Sequence, residues 1–162
     1  MLKIYDFKIY GFGGQGIRTF IRLLEKAYLL SGWHVFGSYT VERYKKSSGY
    51  VRVSNKKVLD KGQPEEANFI VIMDKDFYSL DVKDKGVVIF NSPEPIKLKN
   101  KNVKVYSIDA TGIALSLGLN APNTVLLGVL AKKAGLKINT VKKALAGMNE
   151  ANHRALEEGF KR

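Results

Sequence analysis

The chain contains no cysteine. That excludes a disulfide framework, a thiolate zinc site, a cysteine nucleophile and an iron–sulfur cluster held by this chain. Histidine occurs only at His34 and His153, so a histidine-based metal site is not expected. Glutamine is confined to Gln15 and Gln63. No apolar run approaches the roughly 18 residues of a membrane-spanning helix. The opening Met1-Leu2-Lys3-Ile4-Tyr5-Asp6 lacks the basic-then-apolar layout of a signal peptide. The expectation is a soluble, cytoplasmic protein that makes no use of a membrane.

What is present fits one domain spanning residues 1–162, with 45% hydrophobic residues for an ordinary core. Charged residues make up 26%, and the formal net charge is +12. Such a balance suggests a polyanionic or acidic partner: nucleic acid, a phosphorylated ligand or an acidic subunit. A solvated, lysine-rich surface is the plainer alternative. Little glutamine, no cysteine and abundant lysine is also a composition of hyperthermophile proteins.

Strand-like and helix-like segments alternate. Phe7-Lys8-Ile9-Tyr10 is a short strand that stops at glycines. From Ile17, apolar residues recur at Phe20, Ile21, Leu24, Ala27 and Tyr28, one face of a helix that Gly32 ends. Residues 33–39 read as a second strand, and 50–53 with 57–59 as a hairpin about Ser54-Asn55. Continuous apolar runs at 69–73 and 87–90 have the character of central strands covered on both faces. Residues 103–106 are a further strand. The C-terminal third is helical: 111–117, then about 121 to Gly135, then 140–146 with Asn139 as N-cap, then 150–158. The pattern is an α/β fold, a single Rossmann-like domain with a mostly parallel sheet flanked by helices and a β-hairpin insertion. Helix-bearing, right-handed crossovers between consecutive strands are expected.

Gly11-Phe12-Gly13-Gly14-Gln15-Gly16 follows the first strand and opens the first helix. Gly11, Gly13 and Gly16 have the spacing of a dinucleotide fingerprint. Glycines there permit a tight turn and close backbone approach, and the helix N-terminus offers unpaired N–H groups to an anion. The acidic residue that would hold a ribose, some 20 residues on, is missing; that stretch reads Phe36-Gly37-Ser38-Tyr39, and the first acid is Glu42. A strand–helix turn without a nucleotide, or a site for some other anion, is the better reading.

Residues 38–49 look like a long polar loop. If its strand neighbours the first, Arg43, Lys45 and Lys46 face the same rim as the glycine loop, a basic concavity suited to phosphate or carboxylate. A merely solvated loop is the alternative. Tyr39, Tyr44 and Tyr50 argue for an interface, because exposed tyrosines mark them. No catalytic constellation emerges. His34 lies in a strand and His153 on the last helix, neither beside a nucleophile. Asp74 and Asp76 follow a strand as turn caps rather than metal ligands. A stand-alone nucleotide-binding oxidoreductase and a basic nucleic-acid-binding domain stay open at this point.

The ordered set of motifs resembles the gamma subunit or gamma domain of the 2-oxoacid:ferredoxin oxidoreductases, the family that includes the pyruvate, ketoisovalerate and 2-oxoglutarate enzymes. Gly11 to Gly16 is similar to its GxGGQG opening. Ser38-Tyr39 with Glu42-Arg43, and Val51-Arg52-Val53-Ser54, resemble its glutamate–arginine and closing segments. Residues 67–71, 86–92, 121–128 and 150–159 resemble its later strands and helices. Where the family usually carries Arg-Gly-Gly or Arg-Gly-Ala, Arg43 takes the arginine place and Tyr44-Lys45 the small pair. Thr40-Val41 likewise replace a frequent Gly-Pro. The resemblance implies a non-catalytic subunit of a complex that oxidatively decarboxylates a 2-oxoacid with coenzyme A, giving acyl-CoA, carbon dioxide and reduced ferredoxin. It implies partner alpha, beta and delta subunits that hold thiamine diphosphate and iron–sulfur clusters, with no cofactor resident in this chain and no nucleic acid. Gly11, Gly13, Gly14, Gln15, Gly16, Arg43, Lys45 and Lys46 are then candidates for contact with coenzyme A.

Overall fold

The computed structural model describes residues 1–162. Six strands form one sheet: β1 (Ile4–Phe12), β2 (His34–Val41), β3 (Lys46–Ser54), β4 (Ala67–Ile72), β5 (Val82–Asn91) and β6 (Lys104–Ile108), in the spatial order β2-β3-β1-β4-β5-β6. The β1–β4, β4–β5 and β5–β6 pairings are parallel; β3 runs antiparallel to both β1 and β2. The helices are α1 (Ile17–Leu30), α2 (Ala110–Ser116), α3 (Asn123–Lys133), α4 (Ile138–Ala144) and α5 (Glu150–Phe160).

All helices lie on one face. Alternate residues of β1 and β3, Phe7, Ile9, Val51 and Val53, enter a core with Phe20, Leu24, Leu126 and Leu130. Helix α3 is buried on every side from Asn123 to Ala131. It meets α5 backbone to backbone, because a Cβ on Gly128 would strike the Leu156 carbonyl and one on Gly159 the Val125 carbonyl. The opposite face is covered over β4–β6 by connecting segments. Phe77, Ile96 and Leu98 seal a smaller cluster around Ile70, Ile72, Val88 and Phe90.

Several expectations need correction. The connections β4–β5 and β5–β6 contain no helix; the helices that cover the sheet come after β6 and from α1. Residues 57–59 form no strand. The hairpin is β2–β3, and Val58 instead lines a hollow over its open face. Residues 38–49 are therefore two paired strands joined by a tight turn. They lack apolar alternation because part of the sheet's second face there is exposed. Helix α4 starts at Ile138 after Lys137, so Asn139 lies inside it and is not its N-cap. True side-chain caps are Asp109, which accepts from Gly112 N–H at 2.9 Å, and Asn149, which accepts from Asn152 N–H at 3.0 Å.

Candidate functional site

The glycine loop bridges β1 and α1 at the C-terminal end of β1. Gly11 is a packing residue, since a Cβ there would lie 2.6 Å from Gln15 Oε1 and 3.0 Å from Met73 Cβ. Gly14 and Gly16 have φ of 93° and 81°, which glycine adopts at little cost. Gly16 is also fitted against Asn123, whose Nδ2 donates to the Gly16 carbonyl at 3.2 Å. Gln15 serves the loop itself. Its Oε1 accepts from Phe12 N–H at 2.7 Å, and its Nε2 donates to Asp74 Oδ2 at 3.2 Å. Asp74 Oδ1 accepts from Asp76 N–H at 3.0 Å, so this pair caps a turn.

With the loop so held, the N–H groups of Gly14, Gly16, Ile17, Arg18 and Thr19 have no partner in the chain. The first turn of α1 contains no acidic residue. These donors open into a hollow of about 230 Å³ walled by Gly13, Arg18, Tyr39 and Ser47. Free N–H groups, the positive end of a 14-residue helix and a guanidinium make this a place for an anion.

The tip of the β2–β3 hairpin reaches the same place, although β3 stands between β2 and β1 and the two strands are not neighbours. Its turn is Arg43-Tyr44-Lys45-Lys46, closed by a hydrogen bond from Lys46 N–H to the Arg43 carbonyl. Tyr44 (φ 59°, ψ 33°) and Lys45 (φ 60°) are both left-handed. This is the type I′ geometry that normally selects Asn-Gly, and each non-glycine residue there costs on the order of 1 kcal/mol. The geometry is retained here because Gly13 N–H donates to the Lys45 carbonyl at 2.7 Å, pinning the tip to the glycine loop. A Cβ on Gly13 would lie 3.3 Å from that of Lys45.

The structure thus brings Gly13, Gly14, Gly16 and Lys45 together, with Arg43 exposed on the same tip. It separates Lys46 from them, whose ammonium lies 5.4 Å from the Phe77 ring centroid on the sheet's second face. Tyr44 is 87% exposed and Tyr39 36%, whereas the Tyr50 hydroxyl donates to the Lys61 carbonyl at 2.7 Å. His34 is exposed on β2. What the sequence does not reveal is the support that Asn123 and Asp74, the latter read there as a turn cap, give to the glycine loop. They support the loop from 107 and 59 positions away, and nothing local to Gln15 or Gly16 signals such partners.

The site is a donor-rich strand–helix loop at the edge of a six-stranded α/β domain. Residues 6–162 match the family described as pyruvate ferredoxin/flavodoxin oxidoreductase. The chain is 36% identical to the pyruvate/ketoisovalerate oxidoreductases common subunit gamma of Pyrococcus furiosus, over 97% of this chain and 96% of that one. It is 32% identical to pyruvate synthase subunit PorC of Methanocaldococcus jannaschii, over 96% and 94%. The same fold is seen in the keto/oxoacid ferredoxin oxidoreductase gamma subunit of Geobacter sulfurreducens (TM-score 0.85, 23% identity, 98% and 95% covered). It recurs in 2-oxoglutarate:ferredoxin oxidoreductase of Magnetococcus marinus (TM-score 0.81, 21% identity), where it spans 98% of this chain but 31% of that longer one. The chain belongs to the pyruvate ferredoxin/flavodoxin oxidoreductase family, as a chain of its gamma-subunit type.

Proposed function

We propose that this chain is the gamma subunit of a complex that converts pyruvate or a related 2-oxoacid and coenzyme A to acyl-CoA, carbon dioxide and reduced ferredoxin. The end-to-end match to a chain named as a common subunit gamma carries this reading. The chain has no cysteine to ligate a cluster, so iron–sulfur clusters are assigned to alpha, beta and delta partners, and the family resemblance assigns thiamine diphosphate to them as well. Those cofactors supply the electron transfer and the carbanion chemistry. This chain's share is to dock on them and to hold the phosphates of coenzyme A. The free N–H groups at Gly14, Gly16 and Ile17, together with Arg18, Arg43 and Lys45, supply hydrogen bonds and positive charge for that task. Gln15 and Gly11 act by shaping the loop.

Capture of the protein from native lysate, followed by mass spectrometry, tests the assignment. Partners with thiamine-binding and eight-cysteine ferredoxin-like sequences are expected, and their absence would remove it. Titration of coenzyme A against the assembled enzyme tests the site. Lys45→Glu is expected to weaken apparent affinity about tenfold. Lys46→Glu, directed to Phe77, is expected to leave it nearly unchanged. Equal behaviour of the two variants would count against the site.

A further inference from the structure

The sheet has two free edges of unlike design. Strand β6 is five residues long, begins with Lys104, and has Lys133 Nζ 4.0 Å from the Tyr106 ring centroid. A short edge with a lysine resists further pairing. Strand β2 is eight residues long, His34–Val41, with no Lys, Arg, Asp, Glu or Pro and no register shift against β3. Its ladder hydrogen bonds all go to β3, so the groups on its outer side have no partner in the chain. Beside its first residues lies a hollow of about 280 Å³ walled by Leu29, Trp33, Val35, Phe36, Lys57 and Lys61. Leu29 is 59% exposed, and so, at the strand's far end, is Val41 at 57%.

We infer that the β2 edge receives an extended, acidic segment of a partner subunit, which adds a strand to the sheet and seats an apolar side chain between Leu29 and Phe36. The inference rests on the reading of this chain as a subunit of a larger complex. Backbone pairing supplies the affinity in such additions, and side-chain pockets supply the register. Charge selects the occupant. Lys57 and Lys61 stand at the hollow, Lys61 Nζ 5.6 Å from the Phe36 ring centroid, while the nearby Asp60 is committed to Arg52 at 2.8 Å. A second copy, also of net charge +12, would bring like charges together. An acidic segment meets the opposite sign at the hollow, where Lys57 and Lys61 stand.

Hydrogen–deuterium exchange across residues 34–41, in the isolated chain and in the complex purified with its native partners, provides the test. Fast exchange of the outward amides in the isolated chain and at least about tenfold slowing in the complex is expected. Thr40→Asp, on an exposed edge position, is expected to weaken assembly about tenfold, with Thr40→Lys retaining it. A complex that forms without protecting β2 overturns the edge assignment and leaves the subunit reading standing. Failure to form any complex removes both. Protection already present in the isolated chain and lost on dilution identifies a second copy as the occupant, and stronger loss with Lys than with Asp rules out an acidic segment. Should either variant misfold, exchange in the unaltered protein still decides.

Discussion

Along β1, Phe7 and Ile9 point into the core beneath the helices, while Asp6 and Lys8 point to the other face. All four are at most 4% exposed. On the helical face, burial is sealed by side chains that interdigitate, Phe7 stacking on Phe69 with ring centroids 5.0 Å apart. On the second face, charge holds connecting segments down. Asp6 accepts from Arg52 Nε at 2.7 Å and from Lys83 Nζ at 2.9 Å. Arg52 extends to Asp60 at 2.8 Å, and Lys8 Nζ donates to the Glu65 carbonyl at 2.7 Å. No helix is available to cover this half of the sheet, so ion pairs fasten the chain across it. The same degree of burial therefore has two origins, one non-directional and one dependent on geometry and protonation.

Removing the apolar anchor should have the largest effect. Phe7→Ala is expected to cost about 3–5 kcal/mol by urea denaturation, and a loss under 1 kcal/mol would break the contrast. Asp6→Ala leaves two cations facing each other. Because Arg52 and Lys83 retain some access to water, the expected cost is smaller, about 2 kcal/mol. Its distinguishing mark is faster hydrogen exchange in residues 55–66, with the helical face unchanged. Exchange that quickens in both regions alike would show that the faces are not separate.

Acid should act on the second face first. The Gly62 N–H, then the Arg52 guanidinium, hold the Asp60 carboxyl below the usual carboxylate range. A depressed folded-state value means that its contribution is present above the unfolded value and is lost as pH falls through the folded one. Segment 55–66 should loosen as pH falls below about 4, read by exchange against pH, before global unfolding. The smallest effect tests the opposite sign beside the helical face. Burial raises the Glu25 carboxyl, partly offset by Arg22. Its ionised form is therefore a net cost that appears as pH rises through the folded value. Glu25→Gln should raise the melting temperature slightly at neutral pH and not near pH 4; a drop at neutral pH would contradict this assignment.

The helical face was legible because its residues repeat. Phe20, Ile21, Leu24, Ala27 and Tyr28 declare α1 by spacing alone, and the runs at 69–72 and 87–90 declare β4 and β5. The hairpin was not. Ser38, Thr40, Ser47, Ser48 and Gly49 have no apolar alternation, since β2 and β3 are not enclosed between two packed layers. The type I′ turn was hidden as well, because Tyr44 and Lys45 occupy positions where Asn-Gly would have announced it. At the site, the glycine spacing gave the turn and the free donors. The union with Lys45 follows from one long-range hydrogen bond, Gly13 N–H to its carbonyl.

Composition and order of residues by themselves determined the α/β class, the absence of any thiolate chemistry and the family. The first two depend on residue type or on local periodicity and the family on the resemblance of the ordered motifs, all of which a chain has before it folds. Tertiary structure decided that β3 inserts between β1 and β2, that Lys45 joins the glycine loop while Lys46 leaves it, and that β2 keeps an open edge. Those outcomes depend on which distant backbone groups satisfy one another, and a hydrogen bond between remote residues leaves no periodic trace in the sequence.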